Sequence, residues 1–386
     1  KNTCANTCNV PKLRFKGYND EWVEKRIEKV LKIKHGKDQK AIENNDGIYP
    51  ILATSGEIGR SNTFLWDKPC VLIGRKGTIN KPQYMDTPFW TVDTLFYSYV
   101  FQNNNAKYLY YLFNTINWKK YDESTGVPSL SAKTIERIKI KISNNLREQE
   151  KIASFLTLID KKIEKQKELV ELLKKYKRGL LSAIFSQKLK FKDDNGNDYP
   201  AWEEKRLGDI CKIVGGGTPD TNNVKYWGDD INWFTPTEII KKYADSSNRK
   251  ISRLGLLKSS AKILPIGTVL LTTRATLGEM SILSIEATTN QGFQSLIPVK
   301  DEVSSEFIYY CQPIIKHFCY KYANGSTFLE ISKQTLAKLK LMIPNKDEQN
   351  KISDFLSKFD NKIQQEECIL SYLKTYKKGL LQQMFI

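Results

Sequence analysis

One stretch of this sequence occurs twice, and the second copy constrains most of what the chain can become. Arg147-Glu148-Gln149-Glu150-Lys151-Ile152-Ala153-Ser154-Phe155-Leu156 returns as Asp347-Glu348-Gln349-Asn350-Lys351-Ile352-Ser353-Asp354-Phe355-Leu356. Tyr176-Lys177-Arg178-Gly179-Leu180-Leu181 returns as Tyr376-Lys377-Lys378-Gly379-Leu380-Leu381, again 200 positions on. A third pair matches Lys12-Leu13-Arg14-Phe15 and Trp22 with Lys188-Leu189-Lys190-Phe191 and Trp202. The order of these blocks is cyclic. Mid-chain, Gly179-Leu180-Leu181 runs on into Lys188-Leu189-Lys190-Phe191, whereas the continuation missing after Gly379-Leu380-Leu381 stands at the start of the chain. Such an order suits an object with a pseudo-two-fold axis whose ends meet. A plain tandem duplication with a trimmed end is the alternative. Lys1–Asn9 match nothing and are expected to be an irregular or trimmed end.

The repeated blocks read as long helices. Apolar residues recur at alternating spacings of four and three at Ile152, Leu156, Ile159, Ile163, Val170, Leu173 and Leu180, continuing to Ile184. The second copy gives Ile352, Leu356, Phe359, Ile363, Leu370, Leu373 and Leu380, continuing to Met384. Gln166 and Lys177 interrupt the first seam, and Glu366 and Lys377 the second. About five heptads with charged flanks read as coiled coil. A helix of roughly 38 residues spans about 57 Å and must bury its seam. The matched interruptions make the other copy the expected partner, and the cyclic order favours an antiparallel pair. Separate packing of each helix on its own globular domain is the alternative.

Two globular segments lie between the helices, about 16–145 and 192–345, and they are not repeats of each other in detail. Short apolar runs punctuated by Gly, Pro and Asn read as strands: Gly47–Ala53, Cys70–Gly74, Gly267–Thr272 and Met280–Leu283. Helices are expected at Ala106–Thr115 and Ser305–His317. Matching runs, Leu130–Ile135 and Ile331–Leu336, lead into the long helices. The scaffold repeats while the inserts diverge, as a bivalent reader of two different targets requires.

Charge narrows the function. There are 61 Lys and Arg against 43 acids, a formal charge of +18. Such an excess suits a polyanionic partner, although a lysine-rich proteome would give the same number. With two histidines, His35 and His317, far apart, and seven scattered cysteines, neither a zinc site nor a disulfide framework is expected. The cysteines are expected to be buried and reduced. No run of about 18 apolar residues predicts a membrane span. No apolar core of a signal peptide follows the first residues, so a cytoplasmic location is expected. Gly215-Gly216-Gly217-Thr218 resembles a phosphate loop but lacks the Gly-Lys-Ser/Thr that grips phosphate. Pro219-Asp220 has no following Asp/Glu-x-Lys, no dinucleotide fingerprint follows a strand, and no Asn/Asp-Pro-Pro-aromatic motif occurs. Asp193-Asp194 and Asp229-Asp230 read as solvated turns. A chain without a catalytic centre or metal site of its own is expected.

Polar turns supply the candidate nucleic-acid contacts. In the first insert these are Thr54, Ser55, Arg60, Arg75, Lys76, Thr78 and Lys81; in the second, Thr218, Lys225, Thr235, Thr237, Glu238, Arg274, Thr276, Asn290 and Gln291. Arg suits guanine, Asn and Gln adenine, the Thr methyl thymine and Glu cytosine, while Lys neutralises phosphate. Turns that merely hold a hairpin together, or polar groups that satisfy their own backbone, are the competing reading. Trp227, Trp233 and Phe293 are expected to serve the local core rather than to stack on bases.

Taken together, the divergent inserts, the near-identical helices ending Tyr-Lys-Lys/Arg-Gly-Leu-Leu and the cyclic order resemble the specificity subunit of a bacterial type I restriction-modification enzyme. Gly215–Thr218, Trp227-Gly228-Asp229-Asp230-Ile231 and Asn290-Gln291-Gly292-Phe293 resemble that family's target-recognition domains. The resemblance implies an α+β fold. Residues 1–145 would form a first target-recognition domain, 146–187 a central helix, 188–345 a second target-recognition domain and 346–386 a closing helix paired antiparallel with the first. Each domain would read one half of a split, asymmetric site in double-stranded DNA, and the coiled coil would set the gap. The chain would be non-catalytic and carry no cofactor. Two methyltransferase subunits docked on the helices would bind S-adenosylmethionine and methylate adenine, and restriction subunits would add ATP- and magnesium-dependent translocation and cleavage. A free-standing single-chain methyltransferase or restriction enzyme, and a coiled-coil assembly protein without a DNA role, are the competing readings.

Overall fold

The computed structural model of the chain describes residues 10–324 and 330–385. Lys1–Asn9, with Cys4 and Cys8, lie outside the described residues. The chain divides into two compact units. Unit 1 holds the described residues up to Val170 and from Glu366 onward; unit 2 holds Glu171–Gln365. The division falls inside the long helices rather than at residues 145 and 345, so each unit is a globular segment plus a portion of both helices.

Those helices run over Leu146–Phe185 and Lys346–Met384. Each starts behind an asparagine cap: Asn145 Oδ1 accepts from Arg147 N at 3.1 Å, and Asn345 Oδ1 from Glu348 N at 2.9 Å. Acids in the first turn, Glu148 in one and Asp347 and Glu348 in the other, oppose the positive end of the helix dipole.

Within both units the helices pack antiparallel. In unit 1 Gln166 bonds Glu366 and Lys377 pairs with Asp160; in unit 2 Lys177 pairs with Asp360, and the Tyr176 and Phe359 rings lie 5.7 Å apart. Ile152, Leu156, Val170, Ile352, Leu356, Ile363, Leu373 and Leu380 are buried. Ile159, Ile163, Leu173, Leu180, Phe359 and Leu370 are half-buried. The breaks in the apolar pattern are therefore partnered polar layers. Gln166 Nε2 donates to Glu366 Oε2 at 2.5 Å, and Tyr111 and Tyr310 donate to Asp160 and Asp360 at 2.8 and 2.6 Å. Layers of this kind fix register and orientation at some expense of apolar burial.

The cyclic order appears directly in the hydrogen bonds. In unit 2, Leu189 N donates to Ala183 O at 3.0 Å; in unit 1, Leu13 N donates to Gln383 O at 2.9 Å. One bond is local and the other joins the two ends of the chain, yet the partners occupy matching places in the repeat. The packing follows suit. Phe15 meets Phe155 at 5.6 Å as Phe191 meets Phe355 at 5.5 Å, and Trp22 meets Phe385 as Trp202 meets Phe185, each at 6.1 Å.

The inserts share one sheet plan despite their unlike sequences, except that the main sheet of unit 2 has one edge strand more. In unit 1, β1 (Val23–Arg26) pairs with the strand that leads into the helix, β9 (Lys139–Ile142). The main sheet there runs β2 (Leu31–Lys34), β8 (Leu95–Val100), β5 (Cys70–Gly74), β6 (Gln83–Met85). A second sheet runs β4 (Gly56–Ser61), β3 (Tyr49–Ala53), β7 (Trp90–Thr91). In unit 2, β10 (Glu203–Arg206) pairs with β19 (Lys340–Ile343). Its main sheet runs β11 (Cys211–Gly215), β18 (Gln294–Pro298), β15 (Val269–Leu271), β16 (Met280–Leu283), β13 (Tyr243–Ala244), and its second sheet β14 (Arg249–Ile251), β12 (Trp227–Phe234), β17 (Ala287–Thr289). The expected helix at Ser305–His317 is two helices, Ser305–Tyr310 and Gln312–Tyr322. Pro313, in the first turn of the second, has no N–H to continue the first. Cys70, Cys211, Cys311 and Cys319 are buried and free, whereas Cys368 is exposed on the outer face of its helix, against the expectation of uniform burial.

Leu156 and Leu356 are fully buried at matching positions in the two largest cores. Leu156→Ala and Leu356→Ala are each expected to cost about 2–3 kcal/mol in denaturant unfolding, the transfer term plus the residual cavity. A loss under 1 kcal/mol at both positions would mean the seam is not sealed.

Candidate nucleic-acid interface

In each unit the polar loops that follow the sheet strands converge. In unit 1 the chain leaves β5 at Gly74 and turns back sharply. A Cβ on Gly74 would lie 2.3 Å from Thr78 O, so only glycine permits this turn. Arg75 N bonds Thr94 O at 2.8 Å, and the Arg75 side chain pairs with Asp93. Gly77 N donates to Pro128 O at 2.8 Å and Leu130 N to Arg75 O at 2.9 Å, which ties this loop to residues 122–129. The β3–β4 turn brings Thr54 beside Gly77. Thr54, Ser55, Arg75, Lys76 and Thr78 are thus grouped, with Ser55 and Lys76 exposed and the others half-buried. Arg60 is not part of the group: it lies toward the far end of the same hairpin, opposite Pro50, and pairs with Glu57 at 3.0 Å. Lys81 is exposed on the turn before β6.

The sequence reading missed the 122–129 loop. Asp122 Oδ1 accepts from Ser124 N, Ser124 Oγ and Ser129 N at 2.9–3.0 Å. These bonds, that from Ser129 N foremost, hold the Asp122 carboxyl below its ordinary pKa. The loop so fixed carries exposed Thr125, Gly126, Val127 and Pro128. The signal available in the sequence was Asp122 followed by Ser124 and Gly126, a turn-forming pattern without charge to draw notice.

Unit 2 builds its group more tightly. A Cβ on Gly216 would sit 2.0 Å from Asn290 O, and Gly217 N donates to Thr289 O at 2.8 Å, so the triglycine run lies flush against the end of β17. Thr218 then reaches Gln291, Oγ1 to Oε1 at 2.5 Å. Asn290 Oδ1 accepts from Gly292 N at 2.8 Å, and Gly292 O accepts from Thr273 N at 2.7 Å. Thr276 Oγ1 donates to Pro236 O at 3.2 Å. Thr218, Thr235, Thr237, Arg274, Thr276, Asn290 and Gln291 therefore share one surface, with Thr237, Arg274, Thr276 and Gln291 exposed. Arg274 pairs with Glu330 at 2.8 Å.

Two expectations of the sequence do not fit this surface. Both Glu238 oxygens are engaged: Oε2 accepts from Thr235 N and Oγ1 at 2.7 Å, and Oε1 from Asn248 N at 2.6 Å. This capping box leaves little of the carboxylate for a cytosine amino group. Lys225 stands on a separate turn with Val224 and Tyr226, where Ser252 Oγ bonds its carbonyl. Trp233 and Phe293 are core residues, but Trp227 is half-buried, on the face covered by Arg249.

Among the described residues no three His, Cys, Asp or Glu side chains gather as a metal site, and no helix is long and apolar enough to cross a membrane. The fold and these surfaces define a class: two unlike β-rich domains, each presenting a crown of polar loops, carried on a duplicated antiparallel helix pair. The family profile described as type I restriction modification DNA specificity domain matches residues 19–174 and again 200–375. The chain belongs to this family. It is 35% identical over 213 residues to the MjaIX specificity subunit of Methanocaldococcus jannaschii, covering 54% of this chain and 49% of that one. It is 27% identical over 217 residues to the EcoR124I/EcoR124II specificity subunit of Escherichia coli, covering 52% and 53%. Each match thus spans about half the length of that relative. In fold it is similar to the S subunit of a type I restriction-modification system from M. genitalium, at 17% identity, with a TM-score of 0.63 over 98% of this chain and 99% of that one.

Proposed function

We propose that the chain is the DNA-reading subunit of a type I restriction-modification complex, and that each unit recognises one half of a bipartite site in double-stranded DNA. The observation that carries this reading is the pairing of one repeated scaffold with two unlike polar crowns, Thr54 to Thr78 in unit 1 and Thr218 to Gln291 in unit 2. Lysines and arginines position each unit on phosphate, and Thr, Asn, Gln and Arg side chains read base edges. Two moderate half-site affinities joined by stiff helices combine into a high one, and the helix pair sets the unspecified gap.

The chain is non-catalytic and binds no cofactor in this reading. S-adenosylmethionine, ATP and magnesium belong to companion subunits in the cytoplasm. Two methyltransferase subunits dock on the outer faces of the helices, where Leu169, Leu172 and Tyr176 stand exposed at positions matching exposed Ile369, Tyr372 and Tyr376. Calorimetry of the isolated chain with S-adenosylmethionine is expected to show no binding; saturable heat would favour a free-standing enzyme.

The direct test is to map methylated adenines in cells carrying the complete system. The expected result is one motif in two parts separated by a fixed gap. Methylation without such a motif would remove the reading. The assembled complex is also expected to lose about 10³-fold or more in duplex affinity between 50 and 200 mM salt, because several phosphates are neutralised at once. A flat salt response in a filter-binding titration would speak for an assembly protein instead.

A further inference from the structure

Unit 2 carries an exposed arginine stacked on a pair of indoles. Arg249 is exposed on β14, and its guanidinium carbon lies 3.6 Å from the centre of the Trp227 ring and 5.4 Å from that of Trp233. Both indoles are pinned. Trp227 Nε1 donates to Asp220 O at 3.1 Å, Trp233 Nε1 donates to Gly217 O at 2.9 Å, and the two rings meet edge to face at 5.1 Å. A guanidinium lying flat on a fixed ring has one face occupied and its N–H edge free. No carboxylate among the described residues forms an ion pair with it, unlike Arg75 and Arg274. A bare cation on a long side chain ordinarily has many rotamers, so a stack that holds it in one orientation lowers the entropy lost when it binds.

The arginine is also placed beside the polar crown. Gly217, which receives the Trp233 hydrogen bond, precedes Thr218 of the Thr218–Gln291 pair. On its other side, Asn248 N donates to Glu238 Oε1, which fastens the start of β14 to the Thr235–Glu238 turn. The Glu238 carboxylate is therefore spent on holding this strand in place rather than on reading a base.

We propose that Arg249, held by Trp227, is a specificity-determining residue of unit 2 that donates two hydrogen bonds to a guanine in its half-site. A planar, oriented fork presents two parallel N–H donors that match guanine O6 and N7; the same fork fits two phosphate oxygens, and the test below separates the two. This inference rests on the proposed DNA-reading function.

The test uses the full complex and a pool of randomised duplexes, with the bound fraction sequenced. The wild type is expected to select a two-part motif. Arg249→Ala is expected to lose the guanine preference at one position of one half, with discrimination there falling about 10- to 100-fold, while the other half stays as it was. Arg249→Lys keeps the charge on the indole and is expected to lose the same preference; it also serves as the read-out if the alanine variant does not fold. An unchanged motif with a lowered melting temperature would make Arg249 a mere lid on Trp227 and overturn the proposal. A uniform loss of affinity at every position, with a shallower salt slope, would make it a phosphate contact and overturn it equally. If the wild type selects no motif, the DNA-reading function itself fails; if only the variants leave the motif untouched, that function stands and this inference falls.

Discussion

Exchange of the second insert, residues 200–345, for the corresponding segment of another member of the family is expected to replace one half of the recognised sequence completely and leave the other half unchanged. The physical ground is the separation of the cores. The unit 1 core around Trp22, Tyr108 and Phe385 and the unit 2 core around Trp202, Phe307 and Phe185 share no residue. Every residue of the unit 2 crown lies between Gly215 and Gln291, inside the exchanged segment. The graft succeeds only if the incoming segment keeps the residues that touch the helices. Among these are Trp202, which bonds Glu348 at 2.9 Å, Tyr310, which bonds Asp360, the Ser304 N–H, which bonds Gln349 Oε1 at 2.9 Å, Lys242, which bonds Ser357 at 2.8 Å, and Phe307, whose ring lies 5.8 Å from that of Phe185. Methylation mapping of the chimera reads the outcome. A change in both halves would mean that the units do not read independently, and the modular account would be abandoned.

The parts of this design that were legible in the sequence are those where side chains themselves repeat. The helices, their seam and the cyclic order follow from Ile152/Ile352, Leu156/Leu356 and Lys177/Lys377, because a coiled coil is specified by the spacing of its own apolar residues. Strands made of continuous apolar runs, Cys70–Gly74 and Met280–Leu283, are found at those residues. The common sheet plan of the two inserts was not legible, since sheet order is written in backbone hydrogen bonds that many sequences support. The crowns were legible only in part. Arg75 and Arg274 announce themselves within Gly- and Thr-rich turns. Arg249 does not, because what orients it is Trp227, 22 positions away and joined to it only by the bulged pairing of β12 with β14. Arg60 shows the converse, a residue near Thr54 and Ser55 in sequence that strand geometry carries away from the hairpin tip.

The second large effect concerns a matched pair of buried glutamates with opposite energetics. Glu148, fully buried, accepts from Arg14 Nε at 2.6 Å and Nη2 at 2.9 Å, from Ser143 Oγ at 2.5 Å and from Trp22 Nε1 at 3.3 Å. The carboxylate in turn raises the pKa of the Arg14 guanidinium. Its counterpart Glu348 is 4% exposed and receives the Trp202 N–H alone of these donors, for Pro344 replaces Ser143 and the exposed Lys190 replaces Arg14. Burial therefore pushes the Glu348 carboxyl above its ordinary value of 4.5, with Trp202 and Lys190 opposing the shift. Glu148→Gln strands a nearly buried arginine against a neutral amide and is expected to cost about 3–5 kcal/mol in unit 1. Glu348→Gln removes a poorly solvated charge and is expected to leave unit 2 as stable or more stable at pH 7. Glu348 also brings a pH dependence of its own. The folded state holds the Glu348 proton more tightly than the unfolded chain does, so unit 2 loses stability as pH rises from 4.5 through the raised value. Glu348→Gln is expected to abolish that slope. Hydrogen exchange followed peptide by peptide across pH 4 to 8 separates the two units. Equal losses from the two substitutions, or a slope that survives Glu348→Gln, would show that the repeat has kept one electrostatic design rather than two.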